Sequence, residues 1–432
     1  MKYLLIPALL TIQLCLFAQS YTSYFVGNSS DLISNPQGGT CMMGGATEHD
    51  EAMKWFLQRA NGGDVLVLRA SGSDGYNDYM YTDLGITLNS VETIVFNGGS
   101  AANETYIHSK IKNAEAIWFA GGDQWSYISY WRNSPIDSLI NDALENRNIV
   151  IGGTSAGMAI LGNYYFSASI GTVTSATALN NPYNSNVTVD STEFLNIDYL
   201  QNVITDTHYD NPDRKGRHVA FLARILTDYG VTGKGIACNE YTAVCIDENG
   251  LARVFGDYPN YPETAYFLQT NCEFSDVTPE NCSPGNPLEW QTAIKAYKVN
   301  GTNNGANTFD LSDWKTGSGG TWEDWTVSNG ILSEVLGSEI DCALADVSDN
   351  YKNSFVKLYP NPTHGEFFLK GDFSQFSSIE ITSATGRIIR TIDNISETEN
   401  TKVIDLNEEP KGMYFLKIKT SEKTETIKVI LD

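Results

Sequence analysis

Asn148-Ile-Val-Ile-Gly-Gly-Thr-Ser-Ala-Gly-Met158 is the stretch on which the reading of this chain turns. Ile149, Val150 and Ile151 form an apolar run suited to a buried strand, and Gly152-Gly153 end it. Thr154-Ser155-Ala156-Gly157 follow, and Met158 to Leu161 is apolar again. Gly153, Ser155 and Gly157 fit G-x-S-x-G in a strand–turn–helix setting, the pattern of a nucleophile elbow. A tight turn of this kind lifts the serine hydroxyl clear of the strand ends, and small neighbours let backbone pass close by. The N–H of Ala156 then points to where an oxyanion would form. The plain alternative is a Gly/Ser turn between strand and helix with no chemistry.

Upstream of this stretch, apolar runs alternate with helical patterns. Val65 to Leu68, Thr93 to Phe96 and Ala116 to Ala120 read as buried strands. Ala52, Trp55, Phe56 and Ala60 share one face of a helix spanning His49 to Ala60, which Gly62-Gly63 stop. Ala101 to Lys112, a Trp/Tyr-rich segment and Pro135 to Arg147 are further helices, and Ser71 to Asp78 is a polar loop. Continuous apolar strands separated by helices predict an α/β fold, a mostly parallel sheet sandwiched by helices. Chemistry in such sheets sits at the carboxyl ends of the strands. Gly121-Gly122-Asp123-Gln124 and Ser155 both follow strands, so both belong on that edge. Gly38-Gly39 and Gly44-Gly45 lack G-x-G-x-x-G, which argues against a nucleotide site there.

A serine hydroxyl needs a neighbouring base, and the base needs a carboxylate that fixes its tautomer. The chain has five histidines. His208 is the one that directly follows an apolar strand, Asn202 to Thr205, on the predicted edge. Glu240, after Gly235 to Asn239, is a candidate for the carboxylate, with Asp206 as its rival. The order Ser155, His208, Glu240 differs from the Ser, acid, His order of α/β-hydrolases. Arg214, Lys215 and Arg217 cluster just after His208. Cations at a helix start oppose its dipole, which favours a role in binding an anionic group. Thr242 to Ile246 and Leu251 to Phe255 continue a meander from Gly235 to Glu240, with Asp247 to Gly250 as a hairpin turn. No histidine or carboxylate spacing resembles a metal site, and no cofactor is expected.

The net charge of −24 is uneven. Tyr21 to Tyr351 holds 16 Lys+Arg against 40 Asp+Glu, whereas Lys352 to Asp432 holds 11 against 12. An acidic body argues against nucleic acid as a partner. Residues 1–20 read as a secretory signal peptide, with Lys2 basic and Leu4 to Phe17 apolar. No later run is long enough for a membrane span. Export permits disulfides among Cys41, Cys238, Cys245, Cys272, Cys282 and Cys342, and Cys272 with Cys282 is the preferred pair. Residues 257–350 are rich in Tyr, Trp, Asn and Gly and read as an irregular β extension. Short alternating strands after Leu358 predict a small all-β sandwich.

Four pieces lie in one order: Phe119-Ala-Gly-Gly-Asp-Gln124, Gly152-Gly-Thr-Ser-Ala-Gly157, Asp206-Thr-His208 with Arg214 and Arg217, and Ile236-Ala-Cys-Asn-Glu-Tyr-Thr-Ala243. Through them residues 38–256 resemble the peptidase E/cyanophycinase family of serine exopeptidases. The resemblance implies a class I glutamine amidotransferase-like fold. It also implies Ser155 as nucleophile, His208 as base, Glu240 as orienting acid, and oxyanion donors at Gly122 and Ala156. Gln124, Asp206, Arg214 and Arg217 match positions that line the substrate pocket, for an acidic or other small peptide. Thr207 and Pro212 depart from the cyanophycinase pattern, which has glutamine and arginine there, so cleavage of β-aspartyl-arginine does not follow.

Tyr359-Pro-Asn-Pro362, Gly386-Arg387, Lys411-Gly-Met-Tyr-Phe415 and Lys428-Val-Ile-Leu431 resemble a type IX secretion C-terminal sorting domain. That implies a partner in the secretion machinery and a secreted or cell-surface location. The expected organisation is residues 1–20 as signal peptide, 21–256 as catalytic domain, 257–350 as its extension and 351–432 as sorting domain. A homodimer is compatible with this reading. The rival readings are another serine hydrolase, an esterase or amidase, and a non-catalytic surface binding protein on the same fold.

Overall fold

A computed structural model of the chain describes residues 19–191, 194–342, 356–359, 361, 363–371, 376–383, 386–393, 401–420 and 424–431. The expected signal peptide lies outside the described residues, apart from its last two. The chain forms two compact units, one up to Cys272 together with Asp276–Ile340, the other comprising Glu273–Ser275 and Asp341–Asp432. No helix among the described residues is long and apolar enough to cross a membrane.

The first unit begins with β1 (Tyr21–Gly27), β2 (Gly39–Met43), α1 (Asp50–Arg59), β3 (Asp64–Arg69) and β4 (Ser90–Phe96). α2 (Thr105–Asn113), β5 (Ala116–Phe119), α3 (Gln124–Trp131), α4 (Pro135–Arg147), β6 (Val150–Thr154) and the single turn α5 (Ala156–Ala159) complete its α/β half. Strands β4, β3, β5, β6 and β2 lie side by side in that order and are all parallel. Antiparallel strands flank both sides of this ten-stranded sheet, one (β1) beyond β4 and four beyond β2.

The continuous apolar runs have the physical role expected of them. Leu66, Leu68, Ile94, Phe96, Ile117, Phe119 and Ile151 face a core shared with α2, α3 and α4. Val65, Val67, Val91, Ala116, Trp118 and Val150 face the opposite core under α1. Alternate residues therefore serve opposite faces, and each large side chain so buried contributes roughly 1.5–3 kcal/mol. The helix expected from Ala101 begins later. Gly99–Asn103 is a 3-10 turn, and α2 starts only after Glu104, whose extended backbone separates the two.

The later part of the unit departs from a simple α/β pattern. β7 (Tyr165–Phe166), α6 (Ser175–Asn180) and β8 (Val189–Asp190) build a small excursion. β9 (Val203–Asp206), α7 (Lys215–Tyr229), β10 (Lys234–Cys238), β11 (Ala243–Asp247) and β12 (Leu251–Phe255) follow. β10 does not pair with β11. It joins β9 in a second sheet, whereas β11 and β12 form a hairpin that continues the first beyond β2. The expected three-strand meander is therefore divided between two sheets at the turn Asn239–Thr242.

Residues 257–340 add strands to both sheets, with an irregular stretch between Thr270 and Trp290. β13 (Thr264–Thr270), β14 (Trp290–Asn300), β15 (Asn307–Asp310), β16 (Gly317–Ser318), β17 (Gly320–Ser328) and β18 (Ile331–Leu336) extend both sheets. The second sheet runs β18-β17-β14-β13-β10-β9. One of its faces shares the first core through Phe267 and Tyr297, and the other covers α7 through Leu268, Ile294 and Trp325.

The expected Cys272–Cys282 bridge is not formed. Cys282 is a free thiol, as are Cys41, Cys238 and Cys245, while Cys272 and Cys342 are disulfide-bonded. The reason is packing: Cys272 lies against the first core and Cys282 against the core under α7, so the two thiols belong to different cores.

The second unit holds a three-stranded sheet of β19 (Val356–Tyr359), β20 (Glu366–Gly371) and β23 (Thr401–Asp405). Its partner sheet has β22 (Ile388–Asp393), β21 (Phe376–Ser383), β24 (Gly412–Thr420) and β25 (Thr424–Leu431). Phe367, Leu369, Ile379, Ile381, Leu416 and Val429 close one core between the two sheets, a small β-sandwich. Ala384, Thr385 and the prolines Pro360 and Pro362 lie outside the described residues.

Candidate active site

The parallel strands deliver their carboxyl ends to one edge. β6 ends at Thr154, and Ser155 takes φ 51°, ψ −117°, a conformation that costs a non-glycine residue on the order of 1–3 kcal/mol. Two glycines make the elbow feasible. A Cβ on Gly153 would lie 2.6 Å from the Gly157 carbonyl carbon, and one on Gly157 would run into the Phe119 carbonyl. The Ser155 N–H donates to the Met43 carbonyl at 3.1 Å, which ties the elbow to the end of β2.

From the second sheet, β9 and β10 run parallel and end beside the same edge. His208 follows β9 and Glu240 follows β10. Ser155 Oγ stands 2.8 Å from His208 Nε2, and His208 Nδ1 stands 2.7 Å from Glu240 Oε1. The His208 hydrogen bond holds the Glu240 carboxyl below the usual carboxylate range. Asn211 Nδ2 reaches the other Glu240 oxygen at 3.4 Å, and the Glu240 N–H donates to Asp210 Oδ1 at 3.1 Å. Of the two carboxylates considered for this position, Glu240 therefore meets the imidazole. Asp206 points elsewhere.

Gly44 and Gly45, which sequence reasoning left without a role, form the cradle of this arrangement. The Gly44 carbonyl accepts from the His208 N–H at 2.7 Å, and the Gly45 carbonyl accepts from Tyr241 N–H at 3.0 Å. A Cβ on Gly45 would collide with the His208 ring, and one on Gly44 with the Asn239 carbonyl. The available signal was a glycine pair directly after an apolar strand end, Cys41 to Met43.

The three cations of the predicted basic cluster have different partners. Arg217 is buried and donates to Asp206 through Nε at 2.8 Å and Nη2 at 2.5 Å, while Nη1 reaches Thr172 Oγ1 and the Val173 carbonyl. Burial pushes the Asp206 carboxyl up, and the Arg217 guanidinium more than reverses this, leaving it below its ordinary value. Lys215 pairs with Glu334 at 2.7 Å. Arg214 gives one N–H to the Thr207 carbonyl at 2.8 Å and is 4.0 Å from Asp206.

A cavity of about 290 Å³ opens beside Ser155, lined by Gly122, Gln124, Ala156, Thr207, His208, Arg214 and Arg217 among others. Every predicted site residue except Asp206 and Glu240 lines it. Those two stand behind, one bonded to Arg217 and one to His208. Tyr127 fixes the Gly121-Gly122 turn by donating to the Ala120 and Gly121 carbonyls at 2.9 and 3.0 Å. Gln124 Nε2 donates to the Phe166 carbonyl at 3.3 Å.

Residues 38–254, about half of the chain, match Peptidase family S51. The chain belongs to peptidase family S51. The protein is thus a peptidase, a hydrolase of the family's fold. Cyanophycinase of Synechococcus elongatus is 24% identical over 233 residues, covering 52% of this chain and 67% of that protein. Cyanophycinase of Trichormus variabilis is 22% identical over 166 residues, covering 38% of this chain and 50% of its own. Among solved structures, a peptidase from an acI-B1 Actinobacterium aligns over 64% of this chain and 98% of its own, at 15% identity and a TM-score of 0.41. A putative peptidase E from Listeria monocytogenes aligns over 51% and 99%, at 14% identity and a TM-score of 0.33. Residues 357–432 match the Secretion system C-terminal sorting domain, so this S51 peptidase carries a tail of type IX export to the cell surface or the medium.

Proposed function

We propose that the protein is a serine peptidase that hydrolyses aspartyl peptide bonds, α- or β-linked, through an acyl-enzyme on Ser155. The observation that carries this reading is the unbroken line from Ser155 Oγ to His208 to Glu240, at 2.8 and 2.7 Å. Glu240 accepts the proton-bearing Nδ1, so Nε2 is left to accept from the Ser155 hydroxyl. Ser155 Oγ attacks the amide carbonyl as His208 takes its proton. The N–H groups of Gly122 and Ala156 receive the developing oxyanion. His208 then gives the proton to the leaving amine, and water hydrolyses the ester by the same route in reverse.

The acidic side chain of the substrate sits toward Arg214. Arg217 shapes the same cavity but is neutralised by Asp206, and Gln124 adds a neutral polar contact. One open cation fits one carboxylate, which favours an aspartyl group over a basic or apolar one. Residues 1–20 act as the export signal, and residues 351–432 engage the type IX machinery.

The test is labelling of the full chain with a serine-directed fluorophosphonate, followed by a panel of α- and β-aspartyl dipeptides and matched esters. A single adduct on Ser155 in the folded protein, with cleavage of aspartyl peptides, supports the reading. Arg214→Ala should raise KM for aspartyl substrates by on the order of 10- to 100-fold, the worth of one charge-assisted hydrogen bond. Ester cleavage without peptide cleavage would move the assignment to an esterase.

A further inference from the structure

The wall formed by Ser155 and His208 has a second side. A cavity of about 430 Å³ there is lined by Gly45, Glu48, Arg69, Tyr76, Gly121 and Thr154 besides the serine and histidine. Nothing in the proposed chemistry has used it. Arg69 arrives there by the rule that delivers Ser155, as the last residue of a parallel strand, β3.

The two cavities divide a substrate where the reaction does. The first includes Gly122 and Ala156, so it holds the carbonyl and the acyl half. The amine that takes the proton from His208 Nε2 must leave on the other side, into the cavity of Arg69. In a peptide this amine belongs to a residue that carries a carboxylate when it ends the chain, through its α-carboxylate, or when its side chain is acidic.

Arg69 is prepared for such a group. Its Nε and Nη1 donate to the carbonyls of Ser71 and Ser73, which fix the plane of the guanidinium at the cavity wall. The group lies over the Tyr76 ring, 6.0 Å from its centroid. No carboxylate of the described residues lies within 4.0 Å of it, in contrast to Arg59, Arg217 and Arg224, each of which has one. The Glu48 carboxylate in the same cavity is turned to the Tyr76 hydroxyl, which donates to it.

We propose that Arg69 is the leaving-group subsite of this peptidase and binds a carboxylate of the residue after the cleaved bond. This rests on the acyl-enzyme reading above. The consequence is a preference for substrates that end one residue beyond the aspartyl group, or that continue with an acidic residue.

The experiment compares kcat/KM of the full chain on three substrates: aspartyl-leucine, its C-terminal amide, and the α-amide of aspartyl-glutamate. The free acid should exceed the leucine amide by on the order of 10- to 100-fold, as one charged hydrogen bond provides. Arg69→Ala should bring that ratio to within about threefold of one, and Arg69→Lys should keep part of it. Recovery by the glutamate amide assigns the recognised group to any carboxylate in reach, and failure to recover assigns it to the α-carboxylate alone. Either supports the subsite. Should the variants lose their fold with the loop they anchor, the intact protein still reports, since leucine should inhibit it and leucinamide should not. Equal rates on acid and amide, with equal inhibition by leucine and leucinamide, overturn the Arg69 assignment alone. Cleavage of none of the three, in either the α- or the β-linked form, overturns the aspartyl peptidase reading and the subsite with it.

Discussion

Arg217 and Asp206 meet inside the protein through two parallel hydrogen bonds, at 2.8 and 2.5 Å, with side chains 4% and 3% exposed. Each is the counterion of the other. Removing one leaves a buried charge without a partner, which is destabilising by about 3–5 kcal/mol. Asp206→Asn and Arg217→Ala should each lower the unfolding free energy by that amount in urea titration. A loss under about 1 kcal/mol, with a large rise in KM for Arg217→Ala, would instead make Arg217 a direct substrate ligand.

The relay of Ser155, His208 and Glu240 predicts non-additive losses. Ser155→Ala and His208→Ala should each reduce kcat by several orders of magnitude, on the order of 10⁶ in the best-studied serine protease, and the double variant should be no worse. Glu240→Gln keeps the shape but offers the wrong donor to Nδ1, so kcat should fall on the order of 10⁴-fold with the fold intact. Steady-state kinetics checks all four. Full activity in Glu240→Gln would return the third position to another carboxylate.

Gly45 has φ +111° and touches the imidazole with its Cα side. Gly45→Ala forces either the backbone or His208 to move. A misplacement near 1 Å at a catalytic group costs about 10²-fold, so kcat should fall at least that far. Loss of fluorophosphonate labelling at Ser155 in a folded variant would locate the damage at the base.

Stability should depend on pH through two buried groups of opposite sign. Burial pushes the Glu115 carboxyl from its ordinary 4.5 up to about 7, against the opposing hydrogen bond from the Asp64 N–H. Between those values the folded state holds the proton more tightly, so stability is lost as pH rises from about 4.5 to about 7. Burial pushes His218 from 6.5 down to about 4, so its contribution is lost as pH falls through that range. Glu115→Gln removes only the first slope. Its stability relative to the unsubstituted protein should therefore increase between pH 5 and 7.5 in urea titration. A difference that stays flat would place Glu115 in ordinary contact with water.

Much of this architecture was legible because buried parallel strands have a plain signature. Val65 to Leu68, Thr93 to Phe96 and Ile149 to Ile151 are apolar on both faces, and the residues at their ends fall on one edge by geometry. Ser155 and His208 could be placed on that edge from sequence alone. Residue spacing left Glu240 and Asp206 both open, and only the family resemblance favoured Glu240, because the difference between them lies in Arg217, at the start of α7, engaging Asp206. The second sheet was hidden for a different reason. β14 carries Lys295, 1% exposed, and its pairing with β17 shifts register between Trp290 and Ile294, so no clean two-residue period survives. Likewise, nothing in the four residues between β10 and β11 reveals that those strands enter different sheets.

The glycine cradle after β2 carries a consequence for when the molecule becomes active. Its carbonyls bind the backbone of His208 and Tyr241, and the serine it positions through Met43 belongs to a third region of the chain. The sequence separations within the relay are 53 and 32 residues. Contacts this distant in sequence form only after the chain has closed on itself, since loop closure precedes the reward of the contact. A growing or partly threaded chain therefore has a serine, a histidine and a glutamate, but no base beside a nucleophile. The arrangement of the three side chains is thus a property of the closed topology and of no single segment of the chain.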